Sequence, residues 1–287
     1  MNEQENNNNN WDLVIRSKSS FFDINLVDLW KYRDLILLFV RRDFVANYKQ
    51  TILGPLWHFI TPIFTTVMYV LVFTKIAKIP TDGINPILFY MSGTTLWNYF
   101  SSCLSGTSST FTGNAGIFGK VYFPRLVTPI STIISNLMKF AIQFFLVLAV
   151  MVWLFLKKGE PIYFGWNWLL IIPLLIVMAV LGLGLGIIIS SLTTKYRDFG
   201  VLVGFGTQLL MYATPVVYPL SFIADKSFKW LIVINPLTYL MEAFRFALFH
   251  HGTMSIYLFY SIGFTFVAFF IGLMMFNKVE KSFMDTV

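Results

Sequence analysis

The first segment that could do chemistry is glycine-rich and ends in Gly119-Lys120, a pair that also ends phosphate-binding loops. Such a loop needs a glycine five residues before the glycine of the pair and a serine or threonine after the lysine. Its backbone N–H groups cradle the phosphates and its hydroxyl binds Mg²⁺. This chain has Asn114 and Val121 at those positions. We therefore expect no nucleotide site in the chain, and no ATP or Mg²⁺ bound to it.

Side chains that could form a catalytic or metal centre are sparse. The histidines are His58 and the adjacent pair His250 and His251, and adjacent residues do not share one face of a helix. Cys103 is the single cysteine, and no zinc-type ligand spacing occurs. The serines between residues 101 and 109 have no base near them in the sequence. We expect neither a catalytic residue nor a metal site.

The composition excludes most soluble proteins. Of the 287 residues, 56% are hydrophobic and 12% are charged. A soluble domain carries roughly twice that charged share. Mean hydropathy is +0.69. The net charge of +7 comes from Lys and Arg residues that flank apolar runs, so it indicates orientation in a bilayer rather than nucleic-acid binding.

Charge-poor runs of about 20 residues, the length that crosses a bilayer, recur along the chain. An ion-coupled carrier places ionisable groups in mid-membrane, whereas the single charge in these runs, Lys139, is expected near an interface. An ATP-independent secondary carrier is therefore the less favoured alternative. The predicted fold is an all-α integral membrane protein with six transmembrane helices, at 57–74, 85–104, 136–156, 168–192, 199–217 and 257–276.

Two further segments are predicted at the membrane surface. Apolar residues recur at helical spacing over 28–50 with charged residues between them, which predicts an amphipathic interfacial helix; a helix packed on a partner is the alternative. The apolar segment 230–245 is interrupted at Asn235-Pro236, which predicts an external re-entrant helical hairpin, with a partly ordered loop as the alternative. Residues 1–27 are predicted to be a disordered tail. The rest, 28–287, is one transmembrane domain with its bundle at 57–276.

The distribution of Lys and Arg predicts the orientation. With six spans both termini lie on one side, which holds thirteen of the 21 Lys and Arg residues. The other side holds seven, and Lys139 is the remaining one. Positive residues concentrate on the cytoplasmic side, so both termini are predicted to be cytoplasmic.

Aromatic residues are abundant, with 31 Phe, 13 Tyr and 8 Trp. Most are expected in the core, against lipid or in interfacial belts. Tyr and Trp also combine an apolar face with a polar group, which suits sugar rings. Core packing and the lining of a path both remain open for Tyr69, Phe89, Tyr90, Trp97, Tyr99, Phe100 and Tyr212.

Four motifs occur in order at matching positions of the predicted topology. They are 42–57 (RDFVANYKQTILGPLW, with Pro62 beyond), 119–125 (GKVYFPR), 195–198 (KYRD), and 235–237 (NPL) with Arg245. Together they resemble the membrane-spanning permease of type-2 ABC exporters, in the branch that exports polysaccharide and O-antigen. The resemblance covers the chain from about Asp28 to its end.

The resemblance implies a homodimer in the bacterial inner membrane, working with two copies of a separate ATPase that binds the ATP and Mg²⁺. It implies export of a polysaccharide on undecaprenyl diphosphate through a channel between the two permeases. Permeases for capsule, teichoic acid or a small molecule are alternatives within the class. The N-terminal helix and two loops are implied to couple to the ATPase, through Gly119, Lys120, Phe123, Pro124, Arg125, Lys195, Tyr196, Arg197 and Asp198. For Arg197-Asp198, capping of the next helix at Asp198 is the alternative.

Two smaller sets of residues complete the predicted sites. Arg and Lys beside the bilayer can hold a diphosphate, which makes Arg41, Arg42 and Lys49 candidates; anchoring to anionic headgroups is the alternative. Proline breaks a helix, so the external segment before the last span is predicted to shape a gate. That gate is assigned to Pro215, Pro219, Asn235, Pro236 and Arg245.

Overall fold

The computed structural model describes residues 26–48, 54–196, 198–252 and 254–286, and every regular element within them is helical. The predicted tail therefore lies largely outside the described residues, as do Lys49 and Arg197. Short 3₁₀ turns cover Gly54–Leu56, Trp166–Leu170 and Leu220–Ile223. The α-helices are α1 (Leu26–Lys31), α2 (Arg33–Tyr48), α3 (Trp57–Tyr69), α4 (Pro86–Ser108), α5 (Thr110–Phe118), α6 (Val127–Lys158), α7 (Ile171–Thr193), α8 (Asp198–Tyr212), α9 (Lys229–Val233), α10 (Pro236–Phe249) and α11 (Leu258–Thr286).

Four helical segments of the described chain are long and apolar enough to cross a membrane. They are Trp57–Ile76, which joins α3 to π-helical turns over Val70–Ile76, then Val127–Lys158, Trp166–Thr193 and Leu258–Glu280. The longest has 32 residues and extends about 48 Å, more than the ~30 Å of a hydrocarbon core. It begins nine residues before the predicted span at 136.

The other two predicted spans differ from these four. The helix α4 has 23 residues and no charge, but it is rich in Ser, Thr and Gly. Its hydroxyls bond back to its own carbonyls, as where Thr95 Oγ1 donates to Met91 O at 2.8 Å. The helix α8 has 15 residues and ends at Tyr212, before the predicted end at 217. Ala213 and the residues that follow lie outside the helix.

Glycines on α7 allow close packing against two neighbouring helices. A Cβ at Gly182 would lie 2.8 Å from the Cβ of Cys103, and one at Gly186 would lie 2.6 Å from the Cβ of Thr107, both on α4. Gly184 is two residues from each and faces the opposite side, where a Cβ would lie 2.8 Å from the Cα of Phe269 on α11. The helix α7 therefore packs between α4 and α11 with its backbone close to both.

Two Asn-Pro pairs begin helices. Asn85 and Asn235 each accept a hydrogen bond from the backbone N–H two residues on, at 3.0 Å, and the following proline occupies the first helical position of α4 or α10. The asparagine side chain accepts from one of the backbone N–H groups that have no partner at the start of a helix. Proline has no backbone N–H, so it leaves no unpaired donor at the first helical position. The chain before the last long helix is therefore divided into α9 and α10.

Candidate functional site

The loop between α5 and α6 is held by an aromatic cluster. The Phe123 ring lies 5.8 Å from the Phe39 ring of α2 and 5.7 Å from the Phe118 ring of α5, measured between centroids. Phe123 is buried in this cluster. Among the predicted coupling residues, Phe123 therefore joins the loop to α2 and has little surface left for a partner.

Arg125 fixes the other end of the same loop. Its Nη1 donates to the carbonyl of Glu280 on α11 at 2.6 Å, and its guanidinium carbon lies 5.6 Å from the Phe118 ring centroid. Burial lowers the pKa of Arg125, and the nearby charge of Glu280 opposes that shift. Arg125 and the half-buried Pro124 therefore position the loop.

The outward part of this loop consists of Gly119, Lys120, Val121 and Tyr122, all exposed. Tyr122 keeps 72% of its surface accessible. Val121 and Tyr122 belong to the motif but were not singled out by sequence reasoning. The sequence signal for them is a pair of large apolar side chains in a loop between helices. Large apolar side chains that are exposed on a loop often mark contact sites.

The second predicted coupling segment lies at the same end of the bundle. Ser190 Oγ of α7 accepts from the backbone N–H of Phe111 at 3.2 Å, which joins the end of α7 to α5. Beyond it Lys195, Tyr196 and Asp198 are exposed, and the Lys195 ammonium lies 5.3 Å from the Tyr196 ring centroid. Arg197 lies outside the described residues. The two predicted coupling loops thus lie on one end of the molecule.

The helix α2 packs on α6 and on this aromatic cluster. The apolar face predicted from spacing includes Leu29 of α1 and Phe39 and Val40 of α2, which are buried against the chain itself. A second apolar surface, which includes Leu37 and Leu38, is exposed. The helix therefore has one apolar surface for its own bundle and another for lipid or a partner.

The predicted diphosphate-binding residues on α2 are not gathered into a pocket. Arg41 is exposed. Arg42 forms an ion pair with Asp43 at 2.8 Å, and its guanidinium carbon lies 4.6 Å from the Phe39 ring centroid. Lys49 lies outside the described residues. Because Arg42 already has an anionic partner, Arg41 is the more available of the two arginines.

At the other end of the bundle, Asn235 links two elements. Its Oδ1 caps α10, and its Nδ2 donates to Ala213 O and to Thr214 Oγ1, both at 2.9 Å. Ala213 and Thr214 follow α8 directly. The predicted gate residues Pro215, Pro219, Asn235 and Pro236 therefore border one region, and Pro215 and Pro219 are buried there.

Asn235→Ala is expected to lower the free energy of unfolding by about 1–2 kcal/mol, because it removes a helix cap, one buried hydrogen bond and one partly buried hydrogen bond. Asn167→Ala serves as the control, since the Asn167 side chain has one bond, to His250 Nε2 at 3.0 Å on the surface. Denaturation of the purified protein in detergent measures both. Equal losses in the two variants would contradict the linking role.

Arg245 is the most deeply buried charge of this region, with 2% of its surface exposed. Its Nη2 donates to the carbonyl of Val216 at 2.8 Å, and its Nη1 lies 3.4 Å from Oε1 of Glu242. The guanidinium carbon lies 3.8 Å from the Phe89 ring centroid, over the ring. Gly93 leaves the space for this, because a Cβ there would lie 3.0 Å from Nη2. Arg245 thus ties α10 and α4 to the segment after α8.

The predicted path-lining aromatics divide into two groups. Tyr69 is half-buried, and Tyr212 is 57% exposed on α8. The other five are buried within the chain's own core, where they pack against one another or against α6 and α10. Burial gives those five a packing role in the single chain: Phe89, Tyr90, Trp97, Tyr99 and Phe100.

Long apolar helices, a helix-only fold and polar loops gathered at one end define a polytopic α-helical membrane protein. The described residues contain no group of three His, Cys, Asp or Glu side chains that could hold a metal ion. The family model for ABC-2 type transporters matches residues 34–249. The chain belongs to the ABC-2 type transporter family and is a transporter permease.

The chain is similar to permeases of polysaccharide export. It is 30% identical to the O-antigen export system permease protein RfbA of Klebsiella pneumoniae over 257 residues, which is 88% of this chain and 94% of that protein. It is 30% identical to the RfbA permease of Myxococcus xanthus over 78% of this chain and 84% of that protein. The capsule polysaccharide export inner-membrane protein CtrC of Neisseria meningitidis is 21% identical over 79% of this chain and 82% of that protein.

Proposed function

We propose that this chain is the channel subunit of an ATP-driven exporter that moves a lipid-linked polysaccharide, such as O-antigen on undecaprenyl diphosphate, across the bacterial inner membrane. The observation that carries the proposal is the 30% identity to an O-antigen export permease along 88% of the chain. Capsule polysaccharide is the second candidate cargo, on the more distant likeness to CtrC. The chain itself hydrolyses no ATP; a separate subunit binds ATP and Mg²⁺.

The proposed topology has six spans, with α4 and α8 added to the four long apolar segments. The self-bonded hydroxyls of α4 reduce the cost of placing it in a membrane, as with Thr107 Oγ1, which donates to Cys103 O at 2.6 Å. The helix α8 spans about 22 Å, and the segment held by Asn235 and Arg245 completes the crossing. In this topology α9 and α10 form the external re-entrant hairpin and both termini are cytoplasmic.

The proposed assembly is a homodimer with the translocation path between the two copies. Exposed apolar side chains on α3 and α8 support it, because an unpartnered apolar surface must face lipid or protein. On α8 they include Val201, Phe205, Leu209 and Tyr212, which recur at helical spacing. Tyr212 and the half-buried Tyr69 remain candidates for contact with sugar rings.

The ATPase is proposed to bind the end of the bundle that carries the two coupling loops. Tyr122→Ala is expected to weaken binding of the ATPase subunit about tenfold, since exposed aromatic residues are frequent anchors of interfaces. Stability should change by less than about 0.5 kcal/mol, because Tyr122 is a surface residue. Titration of the ATPase onto the permease in nanodiscs measures the binding.

Tyr163→Ala is the matched control, because Tyr163 is also exposed but follows the opposite end of α6. Unchanged binding in Tyr122→Ala, or an equal loss in both variants, would contradict this placement of the ATPase.

The proposed function is tested by deleting the gene and by purifying the chain with the products of its neighbouring genes. Loss of the surface polysaccharide on deletion, and a co-purified P-loop subunit that hydrolyses ATP, are the expected results. Intact surface polysaccharide in the deletion strain would refute the assignment of this polysaccharide as the cargo. Transport by the chain alone in liposomes without nucleotide would favour a secondary carrier instead.

A further inference from the structure

A polar cavity of about 280 Å³ lies among α3, α4 and α6, away from the coupling loops and from the Arg245 region. Its lining combines amide, hydroxyl, imidazole and ammonium groups, including His58, Ser102, Asn136, Lys139 and Gln143. Polar groups on membrane helices are costly and concentrate where they have a function. The cavity is therefore a candidate binding site.

The cavity has positive charge and no acidic lining residue among those described. Lys139 supplies an ammonium, and its Nζ donates to Asn136 Oδ1 at 3.3 Å. Lys139 lies twelve residues into α6, about 18 Å from the start of that helix. A positive charge surrounded by neutral hydrogen-bonding groups matches an anion whose oxygens accept several bonds, such as a phosphate or diphosphate.

The cavity runs from one end of the helices toward their middle. His58 lies in the first turn of α3. At the opposite limit, Asn98 Nδ2 of α4 donates to Gln143 Oε1 of α6 at 3.5 Å, and both residues lie near the middle of their helices. In the proposed topology the His58 end is cytoplasmic. An anionic group from the cytoplasmic leaflet would therefore have a short way to Lys139.

An apolar hollow lies farther along the same helices. It has a volume of about 480 Å³ and is lined by residues that include Met91 of α4 and Val150 of α6. Met91 precedes Asn98 by seven residues, and Val150 follows Gln143 by seven. Seven residues are two helical turns, so polar and apolar lining follow one another on the same faces of α4 and α6. That sequence of surfaces matches an amphiphile with a compact headgroup.

We propose that the Lys139 cavity binds the phosphate or diphosphate headgroup of a polyprenyl carrier lipid. The inference rests on the proposed function, because a lipid-linked cargo supplies this headgroup. It moves the headgroup site from Arg41 and Arg42, which are exposed on α2, to a polar cavity formed by α3, α4 and α6. Asn136, Ser102 and Gln143 orient the phosphoryl oxygens and Lys139 neutralises their charge.

Binding of farnesyl diphosphate to the full-length permease, purified with its ATPase subunit, tests the site. Lys139→Gln is expected to weaken binding at least about tenfold, the loss that follows from removing a charged hydrogen-bond donor. Lys139→Arg should retain binding. Lys157→Gln is the matched control, because Lys157 is an exposed lysine of the same helix outside the cavity. Equal affinities of wild type and Lys139→Gln would overturn the proposal.

A second variant guards against a merely structural effect. Asn136→Asp keeps the shape of the side chain and places a carboxylate beside Lys139, so it should also weaken diphosphate binding while leaving the unfolding temperature close to that of wild type. Farnesol, which lacks the diphosphate, should bind weakly to all variants. Farnesol binding as tight as that of farnesyl diphosphate would overturn the headgroup assignment.

One further experiment distinguishes a carrier lipid from a general phospholipid as the source of the headgroup. Another distinguishes failure of the cavity proposal from failure of the proposed function. Phosphatidylglycerol that displaces farnesyl diphosphate at equal concentration would identify a general phospholipid site and overturn the carrier assignment. In a deletion strain, wild type should restore surface polysaccharide and Lys139→Gln should not. Equal restoration by both would refute the headgroup-binding role of the Lys139 cavity and would leave the proposed function unaffected. A deletion strain that keeps its polysaccharide would refute the proposed function, whatever the binding result.

Discussion

Replacing Arg245 with methionine is expected to destabilise the protein by about 3–5 kcal/mol, the cost of breaking a buried ion pair by removing one partner. Methionine keeps much of the side-chain volume but leaves the Glu242 carboxylate and the Val216 carbonyl without their donor. The contact with the Phe89 ring is lost as well. Glu242 would keep the backbone hydrogen bond from Leu220, which does not replace the lost positive charge.

The measurement is the free energy of unfolding of the purified chain in detergent, with yield as a second readout. The double variant Arg245→Met/Glu242→Gln should recover part of the loss, because it removes the uncompensated carboxylate. Lys229→Met is the control, since Lys229 is an exposed positive residue at the start of α9. A loss in Arg245→Met no larger than in Lys229→Met would contradict the tie between α10, α4 and the segment after α8.

Local sequence signals located several helix ends. Proline cannot donate a backbone hydrogen bond and asparagine can cap a helix, so Asn235-Pro236 marks a boundary without knowledge of tertiary contacts. The structure divides α9 from α10 there. Long apolar runs predicted membrane helices for the same kind of reason, because length and apolarity are local properties. The end of α8 was less predictable, since Tyr212 is followed by further apolar residues.

The environment of Arg245 could not be predicted from one sequence. Its position in the sequence makes it one of the positive residues predicted on the external side, and nothing nearby in the chain indicates burial. Its partners Val216 and Phe89 lie 29 and 156 residues away, and the space beside it depends on Gly93. Only the packing of α4, α10 and the segment after α8 against one another brings these groups together.

The burial of individual aromatic residues could not be predicted from the sequence either. Composition allowed both core packing and path lining for Tyr90 and Tyr212, because both functions use the same side chains. Tyr90 is buried and Tyr212 exposed because α4 packs against several helices whereas most of α8 does not. In the loop between α5 and α6, Tyr122 and Phe123 are adjacent and chemically similar. The docking of Phe39 from α2 determines which of the two is buried.

Gly184→Ala is expected to cost about 1–3 kcal/mol, because it overpacks the contact between α7 and α11. The new Cβ would lie 2.8 Å from both N and Cα of Phe269 and 3.0 Å from the carbonyl carbon of Ala268. These are backbone atoms, so no side-chain rotation relieves the overlap and the two helices must separate. Because α7 also packs closely on α4 through Gly182 and Gly186, it cannot shift away without losing that contact.

The matched control is Gly263→Ala on α11, where a Cβ meets nothing within 4 Å. There alanine should raise stability by up to about 1 kcal/mol, since glycine is the poorer helix former. The same substitution is thus expected to have opposite signs at the two sites. Unfolding of each variant in detergent measures the difference, and a Gly184→Ala variant as stable as Gly263→Ala would contradict the close approach.

Gly272 on α11 tests the same contact between α7 and α11 from the other helix. A Cβ at Gly272 would lie 2.7 Å from the carbonyl oxygen of Gly184. Gly272→Ala should therefore destabilise as Gly184→Ala does. In the double variant the second alanine enters a gap that the first has already widened, so the combined loss should be smaller than the sum of the two single losses. Strictly additive losses would mean that the two glycines act at separate contacts, and the backbone-to-backbone packing of α7 on α11 would not be the cause.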